Sequence, residues 1–317
     1  MRVAFVFPGQ GSQSVGMLRS LAEASTIIRD TFAEASAALQ YDLWKITQEG
    51  PAEELNRTEC TQPAMLAAGV ATFRLWRQSK GAMPEWVCGH SLGEFTALVC
   101  ADALEFGAAM KLVAFRARAM QEAVPLGSGA MAAILGLEDP QVLAVCREAS
   151  GTGVVEAVNF NSPSQVVIAG ARAAVERAMA LASERGAKRA ILLPVSVPAH
   201  STLMAPAAKR MAERLAGITI RAPDVTYYSA VDAAAHSDPE DIRALLGTQL
   251  ARPVRWTDAV RALLANHAQA LIECGPGKVL TGLNRRIERR ADLQCLALED
   301  PGAVSAALAA ISGDAHA

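Results

Sequence analysis

Short apolar runs alternating with long helical patterns limit the possible architectures more than any other feature of this chain. Val3 to Phe7 is an apolar run closed by Pro8-Gly9, which reads as a buried strand entering a glycine-rich loop. Helical patterns follow over roughly 17–39 and 62–79, and a second short strand at about 86–89 runs into another helix. Strands that alternate with long helices predict a parallel sheet covered by helices, so the fold class is α/β.

The rhythm changes in the middle of the chain. Residues 130–135 read as a strand, 139–149 as a helix, and 153–159 and 165–169 as strands parted by Asn161-Ser162-Pro163. A helix over 171–185 and a strand over 189–195 complete the order βαββαβ, the split-βαβ signature of a small ferredoxin-like unit. We therefore read 125–196 as an insertion into a larger body made of 1–124 and 197–317. From His200 the body resumes with a helix over 201–215, a strand over 225–230 and helices near 239–250 and 257–266. A strand over 270–274 and a last strand–helix pair close it.

At 317 residues the chain can bury a full core, and its formal charge of −2 makes no electrostatic case for nucleic acid or an anionic membrane. Six scattered cysteines, with no CxxC pair and no Cys/His cluster, point to reduced thiols, a cytoplasmic location and no metal. The apolar run at the N-terminus is too short for a signal peptide, and no apolar stretch reaches bilayer-spanning length.

Gly89-His90-Ser91-Leu92-Gly93 fits G-x-S-x-G between a strand and a helix. The glycines permit a sharp turn that lifts the hydroxyl out of the sheet, and the helix N-terminus aims amides at developing negative charge. Ser91 is the candidate nucleophile; the alternative is a helix-capping serine. A serine needs a base. Of five histidines, His90 is next to Ser91 and should turn its ring away into packing, His236 lies in a polar turn, His267 near a helix end and His316 in the tail. His200 stands where the inserted unit ends, at a junction of the kind that favours clefts. It is the candidate base, against a merely structural histidine. The acids between Ser91 and His200 fall on helices or in the inserted unit, so the expectation is a Ser–His dyad with the imidazole held by a neutral acceptor.

On the helix over 107–122, Arg116 shares a stripe with Leu112, Val113 and Met120. A buried guanidinium needs an anion: either an internal carboxylate or one on a ligand, which its planar fork grips with two hydrogen bonds. Two glycine-rich strings, at 9–13 and 275–278, lack nucleotide-binding spacing. Arg285, Arg286, Arg289 and Arg290 cluster on a C-terminal helix, a pattern common on solvated faces.

Together the strings VFPGQGSQ (6–13), TQPA (61–64), GHSLGE (89–94), the arginine at 116, QEAVP (121–125), GAMAAI (129–134), NFNSP (159–163), PVSVPAHS (194–201) and GPGKVLTGL (275–283) resemble the malonyl-CoA:acyl carrier protein transacylases of type II fatty acid synthesis. The resemblance implies an α/β-hydrolase-like body and transfer of malonyl from malonyl-CoA to the phosphopantetheine thiol of acyl carrier protein, without a cofactor, by a monomer. It implies Ser91 as the acylated nucleophile and His200 as its base. The backbone N–H groups of Gln10 and Leu92 become the oxyanion hole, Arg116 the clamp on the malonyl carboxylate, and the backbone carbonyl of Gln249 the acceptor for the imidazole N–H. Ala199 stands where relatives often carry Ser or Phe, which leaves more room beside the acyl group. Because carrier proteins are usually acidic, Arg285 and Arg286 are expected to help dock the carrier. Rival readings are a thioester hydrolase, a malonyl loader for a malonate decarboxylase or a polyketide carrier, and a non-catalytic carrier-binding module.

Overall fold

In the computed structural model, which describes residues 1–195 and 197–312, the alternation builds two sheets. In chain order the strands are β1 (Val3–Phe7), β2 (Trp86–Gly89), β3 (Gly129–Leu135), β4 (Val155–Ser162), β5 (Gln165–Ala171), β6 (Arg189–Leu192), β7 (Thr226–Ser229), β8 (Ala234–His236), β9 (Ala270–Glu273) and β10 (Gln294–Ala297). The larger sheet has the order β10-β9-β1-β2-β7-β8, parallel except for β8. All five residues of β1 are buried, as a central parallel strand requires. Its successive side chains point to opposite faces: Val3, Phe5 and Phe7 enter one core with helix Thr58–Gln78, and Ala4 and Val6 enter another with helix Trp256–Ala265.

The second sheet is antiparallel, in the order β4-β5-β3-β6. Helices Asp139–Ala149 and Arg172–Glu184 cover one face through Val142, Val145, Ala174 and Val175. The other face carries Met131, Val158, Val167 and Ala169, packed against Val195 and Ala199. β4 is tied to the segment before helix Trp256–Ala265 where Val254 donates to the Val158 carbonyl at 2.8 Å and accepts from the Phe160 amide at 2.9 Å.

Several elements differ from the sequence reading. The pattern over 17–39 is two helices, Arg19–Ala24 and Thr26–Leu39, because Ser25 is extended and caps the second through its hydroxyl. The next long helix begins at Thr58, not 62, and carries Pro63 inside it. Helices Leu43–Glu49 and Ala52–Leu55 were not anticipated. β6 stops at Leu192 rather than 195, two residues before Pro194, which has no N–H to give a ladder. His236 lies in β8, paired with Tyr227, rather than in a polar turn. Helix Val279–Ile287 ends before Arg289 and Arg290, so only Arg285 and Arg286 of the basic quartet are helical. Among the described residues, no helix is long and apolar enough to cross a membrane, and no group of His, Cys, Asp or Glu is placed to hold a metal.

Candidate active site

β2 ends at Gly89, and His90, Ser91 and Leu92 turn the chain into helix Gly93–Cys100. The turn is tight enough to need both glycines of the motif. A Cβ on Gly89 would lie 1.9 Å from the Gly93 carbonyl carbon, and one on Gly93 would lie 2.0 Å from the Phe7 carbonyl oxygen. Ser91 itself has a φ of 53°, a left-handed conformation that a side chain rarely adopts. Such strain persists only where the surroundings enforce it, and here it lifts Oγ clear of the helix.

His200 meets it from the far side of the chain: Ser91 Oγ and His200 Nε2 are 2.7 Å apart. His200 Nδ1 lies 3.0 Å from the Gln249 carbonyl oxygen and 3.1 Å from that of Arg252. Carbonyls only accept, so Nδ1 carries the proton and Nε2 presents its lone pair to the serine. The imidazole is 4 % exposed. Burial, followed by the nearby Arg116 cation, pushes its pKa down to about 3, against the partial support of the two carbonyls. It therefore rests as a neutral base.

Arg116 is 1 % exposed on helix Phe106–Glu122. Its Nη2 donates to Ser91 Oγ at 3.1 Å and to Gln249 Oε1 at 2.9 Å, and its Nη1 donates to Gln62 Oε1 at 2.9 Å. The guanidinium also sits over the Phe95 ring. Its Nε is buried without a partner, and Arg116 forms no ion pair among the described residues. Burial draws its pKa down to about 10, opposed by the charge of Glu94. The internal carboxylate that could have neutralised it directly is thus one residue removed: Glu94 touches Gln249, and Gln249 touches Arg116.

Gln10, Ser91, Leu92, Arg116, Ala199 and His200 line one cleft of about 660 Å³ between the two sheets. Gln249 lies behind it, 1 % exposed, holding the imidazole by its main chain and the guanidinium by its side chain. His90 sends its Nε2 to Asn161 Oδ1 at 2.8 Å and packs near Trp256. His236 pairs with Asp232, His267 follows helix Trp256–Ala265, and His316 lies outside the described residues. Arg285 and Arg286 are exposed and outside the cleft lining; Arg285 donates to the Cys295 carbonyl and Arg286 to Gln165 Oε1 of β5.

Two contributors escaped the motif reading. Glu94 stands in the GHSLGE string, the one acid on an otherwise uncharged helix, and Gln62 stands in TQPA. A charged residue among Phe95, Ala97 and Leu98 was the available signal for the first; nothing in the pattern singled out the second.

Residues 4–296 match the family model described as the acyl transferase domain. The chain belongs to that family. This acyl transferase is 54 % identical over 305 residues to the malonyl CoA-acyl carrier protein transacylase of Escherichia coli strain K12, covering 96 % of this chain and 98 % of that protein. The crystal structure of the acyl-carrier-protein S-malonyltransferase of Burkholderia pseudomallei 1710b superposes on it with a TM-score of 0.95 at 53 % identity, over 97 % of this chain and 99 % of that one. A further structure, a holo type II PKS acyl-carrier protein in complex with its malonyl-transacylase, matches with a TM-score of 0.95 at 48 % identity, over 97 % and 99 % of the two chains.

Proposed function

We propose that this acyl transferase moves a malonyl group from malonyl-CoA to the phosphopantetheine thiol of acyl carrier protein, through a malonyl ester on Ser91, supplying malonyl carrier protein for fatty acid elongation. One observation carries the reading: Ser91 Oγ lies within hydrogen-bonding distance of a neutral imidazole and of an arginine that has no ion-pair partner among the described residues. The first makes the hydroxyl a nucleophile, and the second supplies a receptor for a carboxylate.

His200 Nε2 takes the serine proton as Oγ attacks the thioester carbonyl. The backbone N–H groups of Gln10 and Leu92 receive the oxyanion, each donor worth roughly 3–4 kcal/mol. Collapse of the tetrahedral adduct expels the CoA thiolate, which recovers the proton from the imidazolium. The carrier thiol then enters the same cleft, gives its proton to His200, attacks the ester and leaves as the malonyl thioester, while the imidazolium returns the proton to the departing Ser91 Oγ. Arg116 holds the distal carboxylate through both half-reactions. No cofactor is needed, because the substrate arrives already activated as a thioester. Dyad and clamp come from one chain, which supports a monomer, and six free cysteines support a cytoplasmic location. Arg285 and Arg286, exposed at the end of their helix, suit an acidic carrier.

The same proposal divides the chain into an α/β-hydrolase-like catalytic subdomain (1–124 and 197–317) and a ferredoxin-like one (125–196). Support for the second comes from its βαββαβ order together with a strand sequence of β4-β5-β3-β6. A relative engages a type II PKS acyl-carrier protein, so a polyketide carrier is a second candidate acceptor.

Mass spectrometry of the protein mixed with malonyl-CoA tests the reading. One malonyl group should appear on the peptide containing Ser91 and pass to a holo carrier. Rapid hydrolysis of malonyl-CoA without any thiol acceptor would favour a thioester hydrolase instead.

A further inference from the structure

The proposed mechanism uses the main chain of Gln249 but leaves its side chain, and the carboxylate behind it, without a task. Glu94 is 1 % exposed and three residues beyond the nucleophile. Its Oε1 accepts from the Ala230 amide at 2.5 Å and the Ser229 hydroxyl at 3.0 Å, and its Oε2 accepts from Gln249 Nε2 at 2.5 Å. Every one of these partners is a donor. Gln249 Nε2 also donates to the Ser91 carbonyl at 3.0 Å, which leaves Gln249 Oε1 as the acceptor for Arg116 Nη2 at 2.9 Å.

An amide has one accepting end and one donating end, and an arginine can only donate. Whatever fixes which end of the Gln249 amide faces Arg116 therefore fixes how the guanidinium is held. The Ser91 carbonyl and Glu94 Oε2 both demand the nitrogen on their side; burial raises the Glu94 pKa to about 7, and the donors on both of its oxygens oppose that rise and favour the accepting carboxylate. We propose that Glu94 is a positioning residue that locks the Gln249 amide with its oxygen toward Arg116, and so sets the plane in which the guanidinium meets the substrate carboxylate. The proposal rests on Arg116 being the carboxylate clamp. Because the same glutamine holds His200 through its carbonyl and Arg116 through its side chain, the base and the clamp share one anchor.

The geometry states what Glu94→Gln does. The introduced amide has a single oxygen, which the Ala230 amide claims, so its NH2 group turns toward Gln249. The Gln249 amide can accept from it only by flipping, which gives up the bond to the Ser91 carbonyl and presents its own NH2 to Arg116, donor against donor. The guanidinium loses one of its holders, while His200 keeps the Gln249 main-chain carbonyl.

The experiment measures initial rates of Ser91 loading in the full chain with malonyl-CoA and with acetyl-CoA, which has no carboxylate. Glu94→Gln should raise the KM for malonyl-CoA on the order of tenfold, the worth of one hydrogen bond to a charged group. Acetyl loading should change much less, so the malonyl-to-acetyl ratio falls. Gln249→Ala, which keeps the carbonyl that holds His200, should lower the same ratio, and adding Glu94→Gln to it should lower the ratio no further. Equal loss with both acyl groups, or a lowered melting temperature at an unchanged ratio, makes Glu94 a structural residue and overturns the proposal. So does an unchanged ratio in Gln249→Ala, the variant to use if Glu94→Gln does not fold. Failure of the unaltered chain to take up malonyl would instead overturn the functional reading.

Discussion

A guanidinium that is 1 % exposed, with two glutamine oxygens and a hydroxyl as its hydrogen-bonding oxygens, is an incomplete site, because none of those partners carries charge. Leaving a buried charge unpaired costs about 3–5 kcal/mol, whereas a methylene more or less in an acyl pocket is worth only about 1–3 kcal/mol. Charge therefore outweighs size in choosing the acyl group. Arg116→Ala should lower malonyl loading at least a hundredfold, on the order of that penalty, while acetyl loading is retained or improves. An unchanged ratio of the two rates counts against the clamp. The imidazole sets the pH behaviour. His200 must be neutral to accept a proton, and its pKa lies at about 3 rather than 6.5, so the base form persists as pH falls through the range where an ordinary histidine would be protonated. The acid limb of kcat/KM for malonyl-CoA, which reports the free enzyme, should fall well below pH 6.5. A limb centred at 6.5 would show that burial and Arg116 do not act on this ring as described.

At the scale of elements, the decisive contact is between helix Gly93–Cys100 and the strands beneath it. The Gly93 amide donates to the His90 carbonyl at 3.0 Å, and its Cα has no room for a side chain under Phe7. That closeness places the helix N-terminus, with its amides and partial positive charge, directly behind the serine. Gly93→Ala forces the helix away from β1. The expected cost is about 1–3 kcal/mol of stability, read as a lowered melting temperature, together with a loss of Ser91 loading larger than the stability change explains. Full loading at a normal melting temperature would mean that the turn tolerates a displaced helix.

For the whole molecule, the site exists because residues of both sheets and their connections line one cleft. β4 is tied to the segment at Val254 by main-chain hydrogen bonds, and Thr257 Oγ1 donates to the Phe160 carbonyl at 3.0 Å nearby. Arg286 joins the same seam through Gln165, and Arg285 stands beside it. In the proposed function these two arginines meet the acidic carrier. Reversing the two charges in Arg285→Glu with Arg286→Glu should raise the KM for the carrier and flatten its dependence on salt, while Ser91 loading from malonyl-CoA alone stays as it was. If neither carrier parameter moves, the pair is an ordinary solvated surface.

The sequence by itself determined the local chemistry and the order of elements. G-x-S-x-G between a strand and a helix, a histidine at the return to the body, and an arginine on an apolar stripe are patterns of spacing, and spacing is visible in one dimension. Element type was legible where periodicity was long, as in helix Asp139–Ala149, and boundaries slipped where one residue overrode it, as at Ser25 and Pro194. Tertiary structure alone decided that the arginine has no internal carboxylate partner among the described residues, that its holder Gln249 leans on Glu94, and that the ring of His200 is buried. Those properties depend on residues 54, 133 and 155 positions apart meeting in one place. Burial, hydrogen-bond direction and pKa are set by what surrounds a group in space, and no local pattern carries that information.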